Sequence, residues 1–282
     1  AKKEAEAQAQ KQICLNTLRM KTTRRFFSEH EVTDKLPYVC SACEETCSWT
    51  VTPKGSIYWY ERTPCRCESA QDEIREAEDA EYERAALEGR VAGYRAASGL
   101  LGKLGKMSLE NLHPYPFLRS AIGTAKEYLA TWPHKTGLFF VGVVGNGKTH
   151  LACAVGNALL NKGVQVELVV GDELLEQIRR SYDGKAEDPS DRLCAAELLV
   201  YDEFGGETIP KDERGDWARS KLLHIFYRRD VMELPTIVTA NFDIEALERR
   251  VGERTVSRLV GMCGKPIMLQ GPDYRRRKNG DE

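Results

Sequence analysis

Between Gly142 and Thr149 the chain reads Gly-Val-Val-Gly-Asn-Gly-Lys-Thr, which fits the spacing G-x-x-x-x-G-K-[ST]. Glycines at that spacing let backbone N–H groups converge on phosphate oxygens at a helix N-terminus. A lysine adds a point charge at the β and γ phosphates, and a threonine hydroxyl reaches a magnesium ion. Gly142, Gly145, Asn146, Gly147, Lys148, Thr149 and His150 are therefore the expected contacts to ATP. Some fifty residues on, the apolar run Glu197-Leu198-Leu199-Val200-Tyr201 ends in Asp202-Glu203. Asp202 is expected to join Thr149 in holding magnesium, and Glu203 to polarise the attacking water. Asn241, which closes a further apolar run, is a candidate for orienting that water. Arg254 and Arg258 stand one helical turn apart, so either can be an arginine that reaches a developing phosphate charge.

The elements needed to position these residues are legible around them. Leu138-Phe139-Phe140-Val141 precedes the glycine loop as a strand and His150–Lys162 follows it as a helix, so a chance glycine-rich turn is a poor alternative. Apolar strands over 137–144, 164–170, 196–201, 236–240 and 266–269 alternate with helical stretches over 148–162, 172–182, 217–232 and 244–260. That alternation predicts a doubly wound parallel α/β sheet, whose strands deliver their C-terminal residues to one crevice.

Upstream, five of the nine cysteines fall between Cys40 and Cys67, a clustering that favours metal binding over disulfides. The order there is a Cys40-Ser41-Ala42-Cys43 knuckle, a strand over 48–52, a Pro53-Lys54-Gly55-Ser56 turn, the strand-like Ile57-Tyr58-Trp59-Tyr60, and Cys65-Arg66-Cys67. Before it, Ile13, Leu15, Leu18 and Met20 form a ragged helical stripe beside Arg24-Arg25. After it, 68–95 is a charged helix with an acidic excess, and Gly99–Met107 reads as a glycine-rich hinge. The expected division is an N-terminal helical segment (1–36), a metal module (37–68), a helical linker and hinge (69–107) and an ATPase domain (108–282).

With 282 residues, 41% hydrophobic and 30% charged, the chain is long enough for a large domain plus a small module, and wholesale disorder is excluded. A net charge of −2 leaves any nucleic-acid contact to local basic clusters, of which Arg179-Arg180, Arg228-Arg229 and Arg275–Lys278 are the candidates. The longest apolar run is far shorter than the ~20 residues that span a bilayer, and the start lacks a basic-then-apolar leader, so a cytoplasmic protein without membrane contact is expected.

Taken together, the glycine loop, Asp202-Glu203-Phe204-Gly205-Gly206-Glu207, Tyr227-Arg228-Arg229, the run from Pro235 to Asn241, Ser257-Arg258-Leu259 and Asp273-Tyr274-Arg275 closely resemble the helicase-loader branch of the AAA+ ATPases. That branch comprises the DnaC and DnaI type loaders and the related transposition helper IstB. The resemblance covers most of Leu109–Lys278. It implies ATP bound between neighbouring subunits of an oligomer, a grip on single-stranded DNA, and delivery of a replicative DnaB-type ring helicase. It makes Asn241 the first sensor and Arg258 the finger that reaches a neighbour's ATP, with Arg254 the alternative. The family often has two aspartates where this chain has Asp202-Glu203. Little beyond the basic tail follows the last strand, so the helical lid of most AAA+ proteins is not expected. The cysteines resemble the small zinc module of many loaders, with Cys40, Cys43, Cys65 and Cys67 as the tetrahedral set and Cys47 as the spare. An IstB-like helper on duplex DNA is the alternative. A guanine-specific P-loop protein is disfavoured, because Asn161-Lys162 is followed by Gly163 with no aspartate after it.

Overall fold

The structure of the chain is a computed structural model that describes residues 26–27, 38–40, 42–47, 49–54, 57–62, 65–182, 187–207, 209 and 213–273. The stripe from Ile13 to Met20, Arg24-Arg25, the Gly55-Ser56 turn and the basic tail Arg275–Lys278 lie outside these residues. The chain divides into two compact units, Ala1–Ala86 and Leu87–Glu282.

In the first unit, β1 (Phe26–Phe27), β5 (Ile57–Arg62) and β4 (Trp49–Lys54) form an antiparallel sheet in the order β1-β5-β4, and β2 (Tyr38–Val39) pairs with β3 (Thr46–Cys47). Two expectations are corrected here. Phe26–Phe27, inside the segment expected to be helical, is a strand on the open edge of β5, where two consecutive aromatics have high strand propensity. Pro53 and Lys54, expected in a turn, are strand residues paired with Tyr58 and Ile57. Proline is tolerated there because β4 is an edge strand. Then comes α1 (Glu68–Ala97), a 30-residue helix with no buried side chain, as its dense charge predicts.

The second unit is built on five parallel strands. β6 (Leu138–Gly142) is the second strand of the sheet, flanked by β9 (Thr236–Ala240) and β10 (Ile267–Leu269), with β8 (Leu198–Phe204) and then β7 (Val166–Val170) beyond β9. Successive strand residues face opposite cores, which is why the strands are apolar throughout. Leu138, Phe140, Leu198 and Val200 pack with α2 (Arg119–Ala130) and α3 (Lys148–Asn161). Phe139, Val141, Leu199 and Tyr201 pack on the other side with α4 (Gly171–Tyr182), α5 (Ser190–Ala195), α6 (Glu213–Val231), α7 (Ile244–Val251) and α8 (Glu253–Cys263).

The Gly99–Met107 stretch, expected as a hinge, is instead strapped to this sheet. Leu100 is buried, Leu168 N–H donates to Ser98 O at 2.7 Å along the β7 edge, and Asn157 Nδ2 donates to the carbonyls of Leu104 (2.8 Å) and Met107 (2.9 Å). Gly99 and Gly105 serve close approach: a Cβ on Gly99, whose φ is +73°, would meet Leu168 O at 2.6 Å, and one on Gly105 would meet Leu100 O at 2.5 Å. The helical run expected from Ile244 to Val260 is broken at Gly252, at φ +97°, into α7 and α8. Among the described residues no helix is long and apolar enough to cross a membrane.

Arg229, a candidate phosphate contact by sequence, is fully buried and cannot serve that role. Its guanidinium donates to Thr236 Oγ1 (3.0 Å), Leu193 O (2.6 Å), Ala196 O (2.8 Å) and Pro235 O (2.7 Å), joining α6, the end of α5 and the entry to β9. Burial lowers its pKa to about 10, which still leaves it charged at neutral pH. Removing it takes the guanidinium donor from the Leu193 and Ala196 carbonyls in the interior, while Pro235 O keeps Leu199 N–H at 3.3 Å. Arg229→Met is expected to cost about 3 kcal/mol or more in urea unfolding, against under ~0.5 kcal/mol for the exposed neighbour Arg228→Ala. Equal costs at the two positions would contradict this reading of the knot.

Candidate functional site

The glycine loop leaves the C-terminal end of β6 and enters α3 with Gly147 as its N-cap at φ +99°. Gly145 is also left-handed, at φ +77°, and a Cβ there would meet Asp273 Oδ1 at 1.8 Å. Both positions require glycine. The backbone N–H groups up to His150 lie in the first turn of α3, where none has an acceptor within the helix. With the helix dipole behind them they form an anion site.

Lys148 is 5% exposed and its ammonium caps the loop, donating to Gly142 O (2.9 Å), Val143 O (2.7 Å) and Asn146 Oδ1 (3.2 Å). Asn146 is itself buried and donates to Leu269 O at 2.7 Å, tying the loop to β10. The His150 ring turns outward from the loop. Its Nε2 lies 2.9 Å from Ser108 O and 2.8 Å from Asn111 Oδ1, so the side chain fastens the Ser108–Asn111 entry segment to α3.

Thr149 and Asp202, 53 residues apart, meet here: Thr149 Oγ1 donates to Asp202 Oδ1 at 2.9 Å. The same oxygen accepts from Thr239 Oγ1 at 2.5 Å, and Thr239 Oγ1 in turn accepts from Glu203 N–H at 3.0 Å. Thr239 was not singled out by sequence. Its signal was a hydroxyl near the C-terminal end of β9, whose other threonine, Thr236, opens the strand. Between Tyr201 and Phe204 the β8–β9 register shifts, a bulge that puts Glu203 at φ +59° and exposes it while Asp202 stays 5% exposed. A left-handed non-glycine residue stores strain and is most often kept where a side chain must be aimed. Asn241 follows β9 at the same edge of the sheet and is half-buried.

Arg254 and Arg258 are placed elsewhere. Both line a surface groove of about 900 Å³ between α6 and α8, together with Ser220, His224, Tyr227 and Ser257. Lys148, Thr149, Asp202 and Glu203 do not line it. Within one chain the groove that holds the arginines does not include the phosphate loop.

In the first unit the sulfurs of Cys40, Cys43, Cys65 and Cys67 all lie within 4.8 Å of one another. Cys40 and Cys67 are 3.8 Å apart, and Cys43 and Cys65 3.5 Å. Four thiolates bonded to zinc at about 2.3 Å stand about 3.8 Å from each other on a tetrahedron, so the set fits that ion. The second pair sits where α1 begins, with Ala70 N–H donating to Cys67 Sγ at 3.4 Å. A hydrogen bond from the Cys67 backbone, followed by the Cys43 thiol, lowers Cys65 to about 7.

Residues 128–279, more than half of the chain, match the family described as IstB-like ATP binding protein. The uncharacterized protein YdaV of Escherichia coli (strain K12) is 31% identical over 143 residues, which are 50% of this chain and 55% of YdaV. The replicative helicase loader DnaC of the same strain is 28% identical over 167 residues, 58% of this chain and 66% of DnaC. The chain thus spans about half of the first relative and about two thirds of the second. A crystal structure of the DnaC helicase loader superposes with a TM-score of 0.52 at 25% identity, over 60% of this chain and 100% of that one. The five-stranded parallel sheet and its helices are the AAA+ α/β fold of that structure.

Next to Asp202-Glu203, Glu207 was quoted only as part of the motif, yet it is 2% exposed. Its Oε1 accepts from Tyr201 OH at 2.5 Å, while Oε2 has no hydrogen-bond partner among the described residues. Burial raises the Glu207 carboxyl above its ordinary value near 4.5, and the Tyr201 hydroxyl only partly opposes this. A raised folded value means that its contribution to stability is complete below the unfolded value and is lost as pH rises through the folded one. Glu207→Gln should therefore gain stability relative to the unmutated chain as pH rises from acid to neutral. Melting curves that shift in parallel at every pH would contradict this.

Proposed function

Because the chain belongs to the IstB-like ATP-binding family, we propose that it is an AAA+ ATPase that loads a replicative DnaB-type ring helicase onto single-stranded DNA. The observation that carries the ATPase reading is the Thr149–Asp202 contact, which joins the phosphate loop to the acidic strand end. The loader reading rests on the DnaC relatives.

In this reading Gly142, Gly145, Asn146, Gly147 and Lys148 hold the phosphates. Lys148 gives up its carbonyl partners for phosphate oxygens, and His150 contributes its backbone N–H while its ring holds the entry segment. Thr149 and Asp202 would hold a magnesium ion, whose charge would oppose that developing on the transferred phosphoryl group. Glu203, aimed outward by the bulge, takes a proton from the attacking water. Asn241 orients that water, and Arg258 reaches the site of a neighbouring subunit. That last role agrees with the separation of the arginine groove from the loop within one chain.

For domain organisation we propose segments 1–36, 37–68, 69–107 and 108–282, with the metal module as the arm that touches the helicase. Cys40, Cys43, Cys65 and Cys67 hold zinc, which supplies the stability that so short a module cannot draw from an apolar core. An IstB-like role on duplex DNA is the second reading, favoured by the family match itself.

Glu203→Gln is expected to bind ATP normally and to hydrolyse it at least ~100-fold more slowly, whereas Lys148→Ala loses binding. Unchanged turnover in Glu203→Gln would remove the acidic strand end from the mechanism. Metal analysis of reduced protein should find about one zinc per chain, with Cys40→Ser and Cys65→Ser each losing it. Metal content unaffected by either substitution would rule out the four-thiol site.

A further inference from the structure

Arg258 does not extend freely from α8. One guanidinium nitrogen, Nη1, pairs with Asp230 Oδ2 on α6, and the guanidinium carbon lies 4.9 Å from the centre of the Tyr227 ring. Its Nε is buried with no hydrogen-bond partner among the described residues, and the residue still lines the groove. Asp230 and Tyr227 sit three residues apart on α6, so one face of that helix presents a carboxylate and an aromatic ring to a single side chain.

As a stabilising device this contact is weak. The Arg258 and Asp230 side chains are 29% and 41% exposed, and ion pairs so open to solvent contribute about 1 kcal/mol or less. An orphaned buried N–H offsets even that. What the arrangement does well is to remove freedom. An arginine on a surface helix carries about 2 kcal/mol of rotamer entropy, which must be lost whenever it meets a phosphate. A carboxylate on one edge and a ring on one face remove it in advance. The pair is also asymmetric. Arg254, one turn earlier on the same groove, is exposed, whereas Arg258 alone is held from both sides.

We propose that Asp230 and Tyr227 are positioning residues that hold Arg258 in the pose in which it reaches the nucleotide of a second copy of this chain. The inference rests on the finger reading of Arg258 and deepens it. It assigns the choice between Arg258 and Arg254 to α6, because only Arg258 is oriented there.

The test is steady-state ATP hydrolysis by the full chain, comparing Asp230→Asn, Asp230→Glu, Tyr227→Leu and Arg258→Ala. Asp230→Asn should lower kcat about tenfold with little change in KM for ATP, the pattern of a misplaced group that acts only in the transition state. Asp230→Glu should recover most of the loss, and Tyr227→Leu should lose about threefold, as for one cation–π contact. Melting temperatures should stay unchanged. Mixed with Lys148→Ala subunits, Asp230→Asn should regain activity, because a neighbour then supplies an intact Asp230–Arg258 pair. A purely structural role would not be rescued in this way.

Unchanged or faster turnover in Asp230→Asn beside an inactive Arg258→Ala would overturn the positioning role. So would a slow Asp230→Asn that neither glutamate nor the Lys148→Ala partner restores. Full activity in Arg258→Ala would instead remove the finger reading beneath it, so the two failures are distinguishable.

Discussion

One carboxylate oxygen organises the nucleotide end of this chain. Asp202 Oδ1 accepts hydroxyl hydrogen bonds from Thr149 at the start of α3 and from Thr239 on β9. Both come from elements that are distant in sequence and meet only because β6, β9 and β8 run parallel and end at one edge. The bond from Glu203 N–H to Thr239 then fixes the bulge that exposes Glu203. Buried hydroxyl–carboxylate contacts of this kind are charge-assisted and short, and they hold a carboxylate in place without cancelling its charge. The elements on either face serve this edge. The strap from Ser98 to Met107 braces α3 from behind, and the buried Arg229 braces the entry to β9 from the other side.

Much of this was legible from residue order. The glycine loop with its flanking strand and helix, the five apolar strands and the acidic strand end all follow from local pattern, because a parallel strand buried on both faces must be apolar along its whole length. The four cysteines that gather in space are those that the thiol spacing and the loader resemblance suggested. What escaped was set by tertiary contact. Thr239 reads as one more β-branched strand residue until its neighbour across β8 is known. Arg229 reads as half of a basic pair, and nothing local reveals that three backbone carbonyls converge on it. Glycines at 99, 102 and 105 suggest a hinge, whereas Gly99 and Gly105 permit tight packing on Leu168 and Leu100. The helix Arg119–Ala130 is an exception: it was not expected from the sequence, yet it does carry a local signal, since Ala121, Ile122, Ala125, Tyr128 and Leu129 recur at helical spacing and face the core.

The two units solve stability differently. The second unit has two apolar cores, one on each face of its sheet. In the first unit a two-residue knuckle pairing and a short three-stranded sheet carry four thiols to one point, an arrangement in which the proposed metal would take the place of an interior. The helix that follows buries no side chain fully and is dense in acid, so it suits a largely solvated connector. On the second unit the groove between α6 and α8 collects two arginines, a histidine and the exposed ring of Tyr227, and the phosphate loop does not line it. If Arg258 acts as proposed, the copies would associate head to tail, each completing the next.

A ring helicase cannot thread onto a circular single strand, so its appearance there requires the ring to be opened. The most direct test of the loader reading is therefore to measure how much DnaB-type helicase becomes stably bound to circular single-stranded DNA, with and without this protein and ATP. The account predicts that helicase is deposited only when both are present, and that Lys148→Ala deposits none. Deposition independent of the protein or of ATP would contradict it. So would ATP hydrolysis that responds to duplex DNA while the helicase stays in solution, which would point to the transposition-helper reading.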